Sequence, residues 1–336
     1  MIRADLATAN FDTISATLAS MKVDIIALDD CGPASLGITL DALETVNRLA
    51  QRSVFEWRVL CARGSASRAR YGVTAAASPL ARARPRDLII VLGAGVATAE
   101  GLHARLANDD VVQAAKWIGN AWSSGSVVAA SCTGVFLLGA AGLLDGRRCT
   151  TTWWLVPTLA ALHPTCNAEA DAMITEDRRV WTAGASFAHI DLMLSLTARF
   201  AGSQLAQQTA RYLVVDQRAS QARYVIPAFL AAQDSLATRV EGYVRRRLAR
   251  PIDLETMASS MGTSGRTLNR RIRRATSLSP MRLVQKIRVD AALHLLDTTR
   301  LSLPEIAERV GFSDSSALYR LLVRHTGKSP TELRSR

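Results

Sequence analysis

The chain has 336 residues, of which 49% are hydrophobic and 21% charged, and its formal net charge is +12 at pH 7. This length is sufficient for two domains, each with its own core. The five cysteines show no C-x-x-C spacing, which argues against a zinc site and predicts reduced thiols in the cytoplasm. Asp5 and Asp12 interrupt any basic-then-apolar signal segment at the N-terminus.

After an N-terminal extension, residues 1–20, short apolar runs alternate with helical patterns. The runs that predict buried strands are 23–28, 57–61, 88–92 and 127–130. The helical patterns lie near 38–51, 109–123, 133–144 and 186–199. This alternation predicts an α/β domain with a parallel sheet covered by helices on both faces. Ligands of such domains bind beyond the carboxyl ends of the strands.

The segment 119–144 contains no charged residue and could be taken for a membrane span. Serines near its start and three later glycines dilute its apolar character. A buried strand, a tight turn and a buried helix account for it better, so we expect no membrane partner.

The run Ala130-Ser131-Cys132-Thr133-Gly134 marks the place where a strand ends and a helix begins. Small residues on both sides of Cys132 allow a sharp strand-to-helix turn that holds its side chain over the sheet. A helix N-terminus lowers the pKa of a thiol. Cys132 and Thr133 are therefore candidate ligand contacts.

This run, together with the segment 142–151, resembles the PfpI/ThiJ-like branch of the class I glutamine amidotransferase superfamily, and most of all its GlxA-type regulators. The resemblance covers about residues 21–200 and implies a flavodoxin-like sensory domain over 21–202, followed by a helical linker over 203–234. It also implies a small-molecule effector, with nitrogen-containing metabolites among the options.

A catalytic cysteine needs a neighbouring base, and none stands at a motif position here. Thr152 occupies the place where the resembling family commonly has a histidine. His103, His163 and His189 are better explained as surface or core residues. Asp41 is either an acidic group facing the elbow cysteine or a solvent-facing helix residue. We therefore predict no enzymatic activity.

Four more residues are candidate ligand contacts, each with a structural alternative. Gly93 and Gly95 follow a strand and could offer backbone N–H groups, although a close backbone turn explains them better. Thr98 replaces the third glycine of a dinucleotide fingerprint, so no cofactor is expected. Trp153 and Trp154 could wall a pocket and hold a cationic ligand, or could belong to the core.

The linker carries many apolar residues between positions 212 and 230, which is too much hydrophobic surface for a free tether. We expect it to pack on a domain or on a second subunit, and to couple ligand binding to DNA binding.

Residues 239–336 contain 20 of the 41 basic side chains but only nine of the 29 acidic ones. Their net charge of +11 accounts for nearly all of the chain's excess, while residues 1–238 are close to neutral. Such an asymmetry is typical of a nucleic-acid-binding module attached to a domain with another task.

Two helix-turn-helix patterns lie in this basic region, at 252–272 and 303–322. Each contains Ala-x-x-x-Gly, where the alanine lets two helices approach closely and the glycine allows a left-handed turn residue. Ser264 is a plausible N-cap of the second helix in the first unit. Residues 280–297 predict a helical strut that fixes the distance between the two units.

With the closing run Gly327-Lys328-Ser329-Pro330, these patterns resemble the AraC/XylS family of transcription regulators over about residues 235–334. The resemblance implies an all-α DNA-binding domain at 235–336 with two helix-turn-helix motifs. Its partners would be double-stranded DNA, a second copy of the chain in a homodimer and, for an activator, RNA polymerase.

The outward faces of the two second helices supply the candidate DNA contacts. Arginine suits guanine and asparagine suits adenine because each can form two hydrogen bonds with the base edge. The candidates are Arg266, Asn269, Arg270 and Arg273 on the first helix and Ser315, Ser316, Tyr319 and Arg320 on the second. We expect the two helices to enter successive major grooves.

The sequence thus predicts a cytoplasmic transcription regulator with a non-catalytic sensory domain and neither metal nor cofactor. Two alternatives remain. One is a bifunctional protein in which Cys132 hydrolyses an amide. The other is a ligand-independent DNA binder that uses its N-terminal half for dimerisation.

Overall fold

The computed structural model describes residues 20–218, 220–232 and 234–334, so nearly all of the expected extension lies outside the described residues. The first two hundred residues contain all the strands of the described chain. They are β1 (Met21–Ile26), β2 (Phe55–Cys61), β3 (Ala66–Arg68), β4 (Thr74–Ala76), β5 (Ser78–Pro79), β6 (Leu88–Val91), β7 (Val127–Ser131), β8 (Arg148–Cys149), β9 (Asn167–Ala168), β10 (Ile174–Asp177) and β11 (Val180–Ala183).

Seven strands form one sheet in the order β10-β11-β7-β6-β1-β2-β5. All neighbours are parallel except β10 and β11, which form an antiparallel hairpin at one edge. The pairs β3-β4 and β8-β9 make two small separate sheets. The predicted α/β fold with a parallel sheet is confirmed, and all four predicted strands belong to it.

Helices cover both faces of the sheet. They are α1 (Pro33–Ala50), α2 (Ala99–Leu106), α3 (Asp109–Ser123), α4 (Val135–Ala140), α5 (Val156–Leu162) and α6 (Ala188–Ala201). Alternate residues of the central strands enter two different cores, with Val23 and Ile25 facing α1 and α6 while Ile26 faces α3 and α4. Burial on both faces explains why these strands are continuous apolar runs.

Several elements, α2 among them, depart from the sequence expectation. The β10-β11 hairpin was not predicted, because its turn uses Arg178 and Arg179 at positive φ in place of the usual glycine or asparagine. Helix α5 was also not predicted. The helix expected at 133–144 is shorter, since α4 ends at Ala140 and Gly142 adopts a φ of +73°.

The segment between the two halves is mostly docked on the sheet domain. Helix α7 (Ser203–Tyr212) packs against α1 and α6, and α8 (Pro227–Ala231) packs against α9 (Ser235–Arg245). Arg218 donates its backbone N–H to the buried carboxylate of Asp191 at 2.8 Å, and the two side chains form an ion pair. The segment is therefore anchored rather than free.

The C-terminal half is all-α and has two cores. Its further helices are α10 (Leu254–Ser260), α11 (Gly265–Thr276), α12 (Pro280–Thr298), α13 (Leu303–Arg309), α14 (Ser315–Thr326) and α15 (Pro330–Arg334). The predicted strut is α12. Leu283 and Ile287 enter the first core, while Ala292 and Leu296 enter the second. One helix thus ties both helix-turn-helix units together.

Candidate elbow site and DNA-reading helices

The turn at Cys132 has the sharp geometry that the sequence predicts. Strand β7 ends at Ser131, Cys132 has a φ of +53°, and a short 3₁₀ turn leads into α4. The backbone N–H of Cys132 donates to Gly184 O at 2.8 Å. The Thr151 hydroxyl donates to Cys132 O at 2.6 Å, so the strained residue is held from both sides.

The expectation of a low thiol pKa at Cys132 is not supported. Burial raises the pKa of the Cys132 thiol, and the hydrogen bonds from Thr133 oppose this shift without overcoming it. The reason is that a thiolate loses its solvation in the protein interior, while the adjoining helix is only six residues long.

Two other predicted contacts lie directly beside the elbow. A Cβ added to Gly93 would come within 3.6 Å of Cys132 Cβ and 3.3 Å of Thr133 Oγ1. The Thr133 hydroxyl accepts a hydrogen bond from the backbone N–H of Ala94 at 2.9 Å. Thr133 therefore joins the elbow to the loop after β6, and Gly93 provides the space for this contact.

Gly95 has a different role. Its φ is +75°, and an added Cβ would lie 1.8 Å from Asp30 O. The structure thus supports the alternative interpretation, a close backbone turn. Asp41 is exposed in the middle of α1, which fits the solvent-facing alternative better than a position at the elbow.

The described histidines give Cys132 no evident base. His189 is fully buried beside Ser131, and its two ring nitrogens are bonded to Ser131 Oγ at 2.8 Å and to Thr39 Oγ1 at 2.7 Å. Burial lowers the pKa of His189 to about 4, so its ring is neutral at pH 7. His103 is exposed, and Thr152 is buried with an unpartnered hydroxyl.

Trp153 and Trp154 form an aromatic cluster with the linker. The two indoles meet edge to face at 5.0 Å, and the Phe229 ring of α8 lies 5.7 Å from Trp153 and 6.1 Å from Trp154. Val225 and Leu230 complete the packing. The tryptophans that directly follow Thr150–Thr152 thus contact the segment that leads to the DNA-binding half.

Gln221 is a functional candidate that sequence reasoning did not single out. It is 2% exposed, and its amide donates to Thr150 Oγ1 and to Thr151 O, both at 3.0 Å. Its side chain also fills the space that a Cβ on Gly184 would need. Since Thr151 bonds to Cys132 O, Gln221 links the linker to the elbow. A lone buried glutamine in a linker gives no sequence signal.

Each helix-turn-helix unit is complete in its local details. Ser264 accepts the backbone N–H of Thr267, which confirms it as the N-cap of α11, and Asp314 accepts that of Ser316 at the start of α14. Gly262 and Gly311 have φ values of +72° and +79°, as the left-handed turns require. The caps and turns therefore place α11 and α14, the second helix of each unit, in equivalent positions within their units.

Most predicted base readers are on the outer face of these helices. Leu268 and Ile272 of α11 and Leu318 and Leu322 of α14 are fully buried, which fixes the opposite face outward. Arg266, Arg270, Arg273, Ser316, Tyr319 and Arg320 are exposed, whereas Asn269 and Ser315 are half-buried. Both helices thus present cationic or polar side chains to a partner.

The described residues contain no group of histidine, cysteine and acidic side chains that could hold a metal ion. None of the helices in the described part of the chain combines the length and apolar composition needed to traverse a bilayer. All five cysteines are free thiols.

Comparisons with known proteins identify two family regions. Residues 52–199 match the DJ-1/PfpI family, and residues 257–336 match a helix-turn-helix domain. The transcriptional regulator GbdR of Pseudomonas aeruginosa is 25% identical over 93% of this chain and 84% of its own length. The regulator CdhR of the same species is 27% identical over 88% and 86%. The regulator GlxA of Rhizobium meliloti is 31% identical over 61% and 64%.

Two solved structures resemble a little over half of the chain. An AraC family transcriptional regulator from Pseudomonas putida is 25% identical, with a TM-score of 0.50, over 57% of this chain and 99% of that one. A putative transcriptional regulator from Vibrio parahaemolyticus has a TM-score of 0.51 at 19% identity, over 58% and 100%, which supports the fold alone.

Proposed function

Because the chain belongs to the transcription regulators that join a DJ-1/PfpI-family domain to an AraC-type helix-turn-helix domain, we propose that its N-terminal domain senses a small molecule without catalysis. The DNA-binding half then converts occupancy of the sensor into a change in transcription. The observation that carries the proposal is the chain of contacts from Cys132 through Thr151 and Gln221 to the linker.

The proposed reading surface consists of the outer faces of α11 and α14. Arg266, Asn269, Arg270 and Arg273 on α11 and Ser315, Ser316, Tyr319 and Arg320 on α14 would contact bases or phosphates. Since α12 joins both cores, the two helices are held at a fixed separation, as two successive major grooves require.

The proposed effector site is the region around the elbow, Gly93 and the two tryptophans. The half-buried Trp154 contributes an aromatic wall that suits an apolar small molecule, while three arginines in the same cleft disfavour a cationic one. Because the neighbouring Trp153 packs on Phe229, a ligand that shifts either indole also shifts α8. Nitrogen-containing metabolites are the first effectors to test at this site.

Loss of catalysis is part of the proposal. Cys132 is half-buried and desolvation raises the pKa of its thiol, and the buried His189 already has both ring nitrogens hydrogen-bonded. A nucleophile needs the thiolate form and a base that can take its proton. The rival, a Cys132-dependent amidase joined to a DNA-binding module, would require a rearrangement of both residues.

Three further features follow from this function. We expect the regulator to act as a homodimer, to contact RNA polymerase if it activates transcription, and to work in the cytoplasm beside the genome. A DNA binder that ignores ligands and uses its N-terminal half only to dimerise is the remaining rival.

The proposal is tested by a thermal-shift screen of the full chain against metabolites, followed by variants. A true effector at 100 to 1,000 times its Kd should stabilise by roughly 2.7–4 kcal/mol. Its binding should change DNA affinity, and DNA should change effector affinity by the same factor. Trp153→Ala should weaken this coupling, while Trp117→Ala, a half-buried indole outside the aromatic cluster, serves as the matched control.

Two results would contradict the proposal. A full effector response in Trp153→Ala would move the sensory site elsewhere. An amidase activity that Cys132→Ser abolishes would favour the bifunctional rival instead.

A further inference from the structure

The two DNA-reading helices present the same flank to the N-terminal half of the molecule. In both, two buried residues four apart, Leu268 and Ile272 or Leu318 and Leu322, define the inner face. Counted from these residues, Arg270, Arg271, Arg274 and Ala275 of α11 occupy the same helical positions as Arg320, Leu321, Arg324 and His325 of α14. They form one flank, between the inner and outer faces.

On α11 this flank meets the sensory domain. Helix α5 packs directly against α11. Between them lies a cleft of about 920 Å³ with Trp154, Pro157 and Thr158 on one wall. On the other wall are Arg270, Arg271, Arg274 and Ala275, which is the whole flank.

On α14 the equivalent flank meets the linker and the sheet domain. The short turn Ala222–Tyr224 lies against α14. A cleft of about 370 Å³ has Asp171, Ser220 and Ala222 on one wall and Leu321, Arg324 and His325 on the other. Beside it, Arg282 and Asp171 form an ion pair between the two halves at 3.7 Å.

The width of the major groove of DNA prevents α11 from entering it while α5 is packed on its flank. The major groove is about 12 Å wide and an α-helix with its side chains is about 10–12 Å across, so one helix fills the groove. Two packed helices have axes about 8–10 Å apart and are too wide together. Thus α11 cannot enter a groove to the depth of Arg270 while α5 remains on its flank.

We propose that the N-terminal domain and linker form a docking surface for this shared flank of α11 and α14, and that docking competes with duplex DNA. The same flank can contact either the docking surface or DNA. When it is undocked, Arg270, Arg274 and Arg324 can face phosphates. One surface thus restrains both reading helices at once. This inference rests on the DNA-binding part of the proposed function and names how that binding is regulated.

The first test compares hydrogen exchange of the full chain with and without a long mixed-sequence DNA duplex at low salt. Backbone amides of α5 and of residues 222–224 should exchange faster in the complex, because DNA releases them. Unchanged or slower exchange in both segments, with DNA bound, would overturn the docking and leave the DNA-binding function intact. Failure of the full chain to bind the duplex at all would overturn the function itself, and the docking with it.

The second test uses Thr158→Arg, which places a fourth positive charge opposite Arg270, Arg271 and Arg274. Undocking should tighten binding to the same duplex by about tenfold if the docked form holds about nine-tenths of the molecules. Val112→Arg, on the exposed face of α3, adds the same charge away from the cleft. Equal affinities for the two variants would contradict the proposal.

Discussion

At the scale of single residues, burial changes the chemistry that a motif suggests. Cys132 has the backbone geometry of a nucleophile elbow, with a φ of +53° between a strand and a helix. Cys132 is nevertheless half-buried, and desolvation raises the pKa of its thiol rather than lowering it. In this position Cys132 lies next to Gly93 and Thr133, at the effector site proposed above.

His189 gives the sensory domain a pH dependence. Its pKa is lowered to about 4 in the folded chain, whereas an unfolded histidine titrates near 6.5. Between about pH 6.5 and 4, His189 is protonated in the unfolded state but stays neutral in the folded state. The contribution of His189 to the free energy of unfolding is therefore fully present above about pH 6.5. It is lost as the pH falls towards 4, by up to about 3 kcal/mol.

Urea unfolding monitored by tryptophan fluorescence follows this loss, because all six tryptophans precede residue 182 and therefore belong to the N-terminal half. His189→Asn should unfold with a flatter pH profile between about pH 6.5 and 4. His103→Asn, at an exposed position, is the control. An equally steep profile in His189→Asn would show that another group is responsible.

Arg266 tests the assignment of α11 as a reading helix. It is exposed in the first turn of α11 and is not among the residues that line the cleft with α5, so its effect on DNA is separate from docking. Arg266→Ala should cost about 1–3 kcal/mol at a selected operator. Arg266→Lys keeps the charge but loses two-point bonding to guanine, so it should mainly relax base preference.

The measurement is selection of binding sites from a random duplex pool, followed by titration of each variant. Identical base preferences in wild type, Arg266→Ala and Arg266→Lys would remove Arg266 from the set of base readers.

At the scale of elements, the two helix-turn-helix units repeat the same local devices but in different surroundings. Both use a buried alanine, a left-handed glycine and a capped second helix. The first unit shares its core with α9, while the second unit packs on the C-terminal half of α12. As a result, equivalent residues in the two units have different neighbours.

The turn glycines make this difference measurable. A Cβ on Gly311 would lie 2.2 Å from Leu248 O, whereas the space around Gly262 is open within 4 Å. Gly262→Ala should cost about 1–2 kcal/mol for its left-handed backbone alone. Gly311→Ala adds a steric clash and should cost about 2–4 kcal/mol.

Thermal unfolding followed by helical circular dichroism compares the two variants. Equal losses for the two substitutions would mean that the close approach of Gly311 to Leu248 is relieved at no cost.

At the scale of the whole molecule, charge is separated between the halves. Nearly the whole excess of +12 is in residues 239–336. In DNA binding, each neutralised phosphate releases counterions, so affinity falls with salt by a slope of about 0.9 per contact on logarithmic axes. The basic half should carry this salt dependence, although the sensory domain modulates access to it.

Arg273→Ala should therefore reduce the salt slope by about one, if Arg273 neutralises one phosphate. Arg211→Ala removes an exposed arginine from α7, in the neutral half, and should leave the slope as in the wild type. Filter binding or fluorescence anisotropy with a mixed-sequence duplex across a salt series supplies the slopes. Equal reductions in both variants would refute the assignment of the charge asymmetry to DNA binding.

The sequence by itself determined the class of both halves and the placement of several residues. Hydrophobic periodicity set the four parallel strands and α12, because burial on one or two faces dictates these patterns. The preferences of turns and helix caps identified Ser264 as an N-cap and Gly262 and Gly311 as turn residues. Only a few residue types satisfy a helix end or a left-handed turn. The small residues on both sides of Cys132 likewise predicted the sharp turn at this position.

Only the tertiary structure decided what lies around these residues. The raised pKa of Cys132, the buried amide of Gln221 and the cluster of Phe229 with the two tryptophans depend on segments far apart in the chain. Helix α5 is short, and its contact with α11 joins two domains. Local patterns encode which face of an element is apolar, but they do not encode which distant surface will cover it.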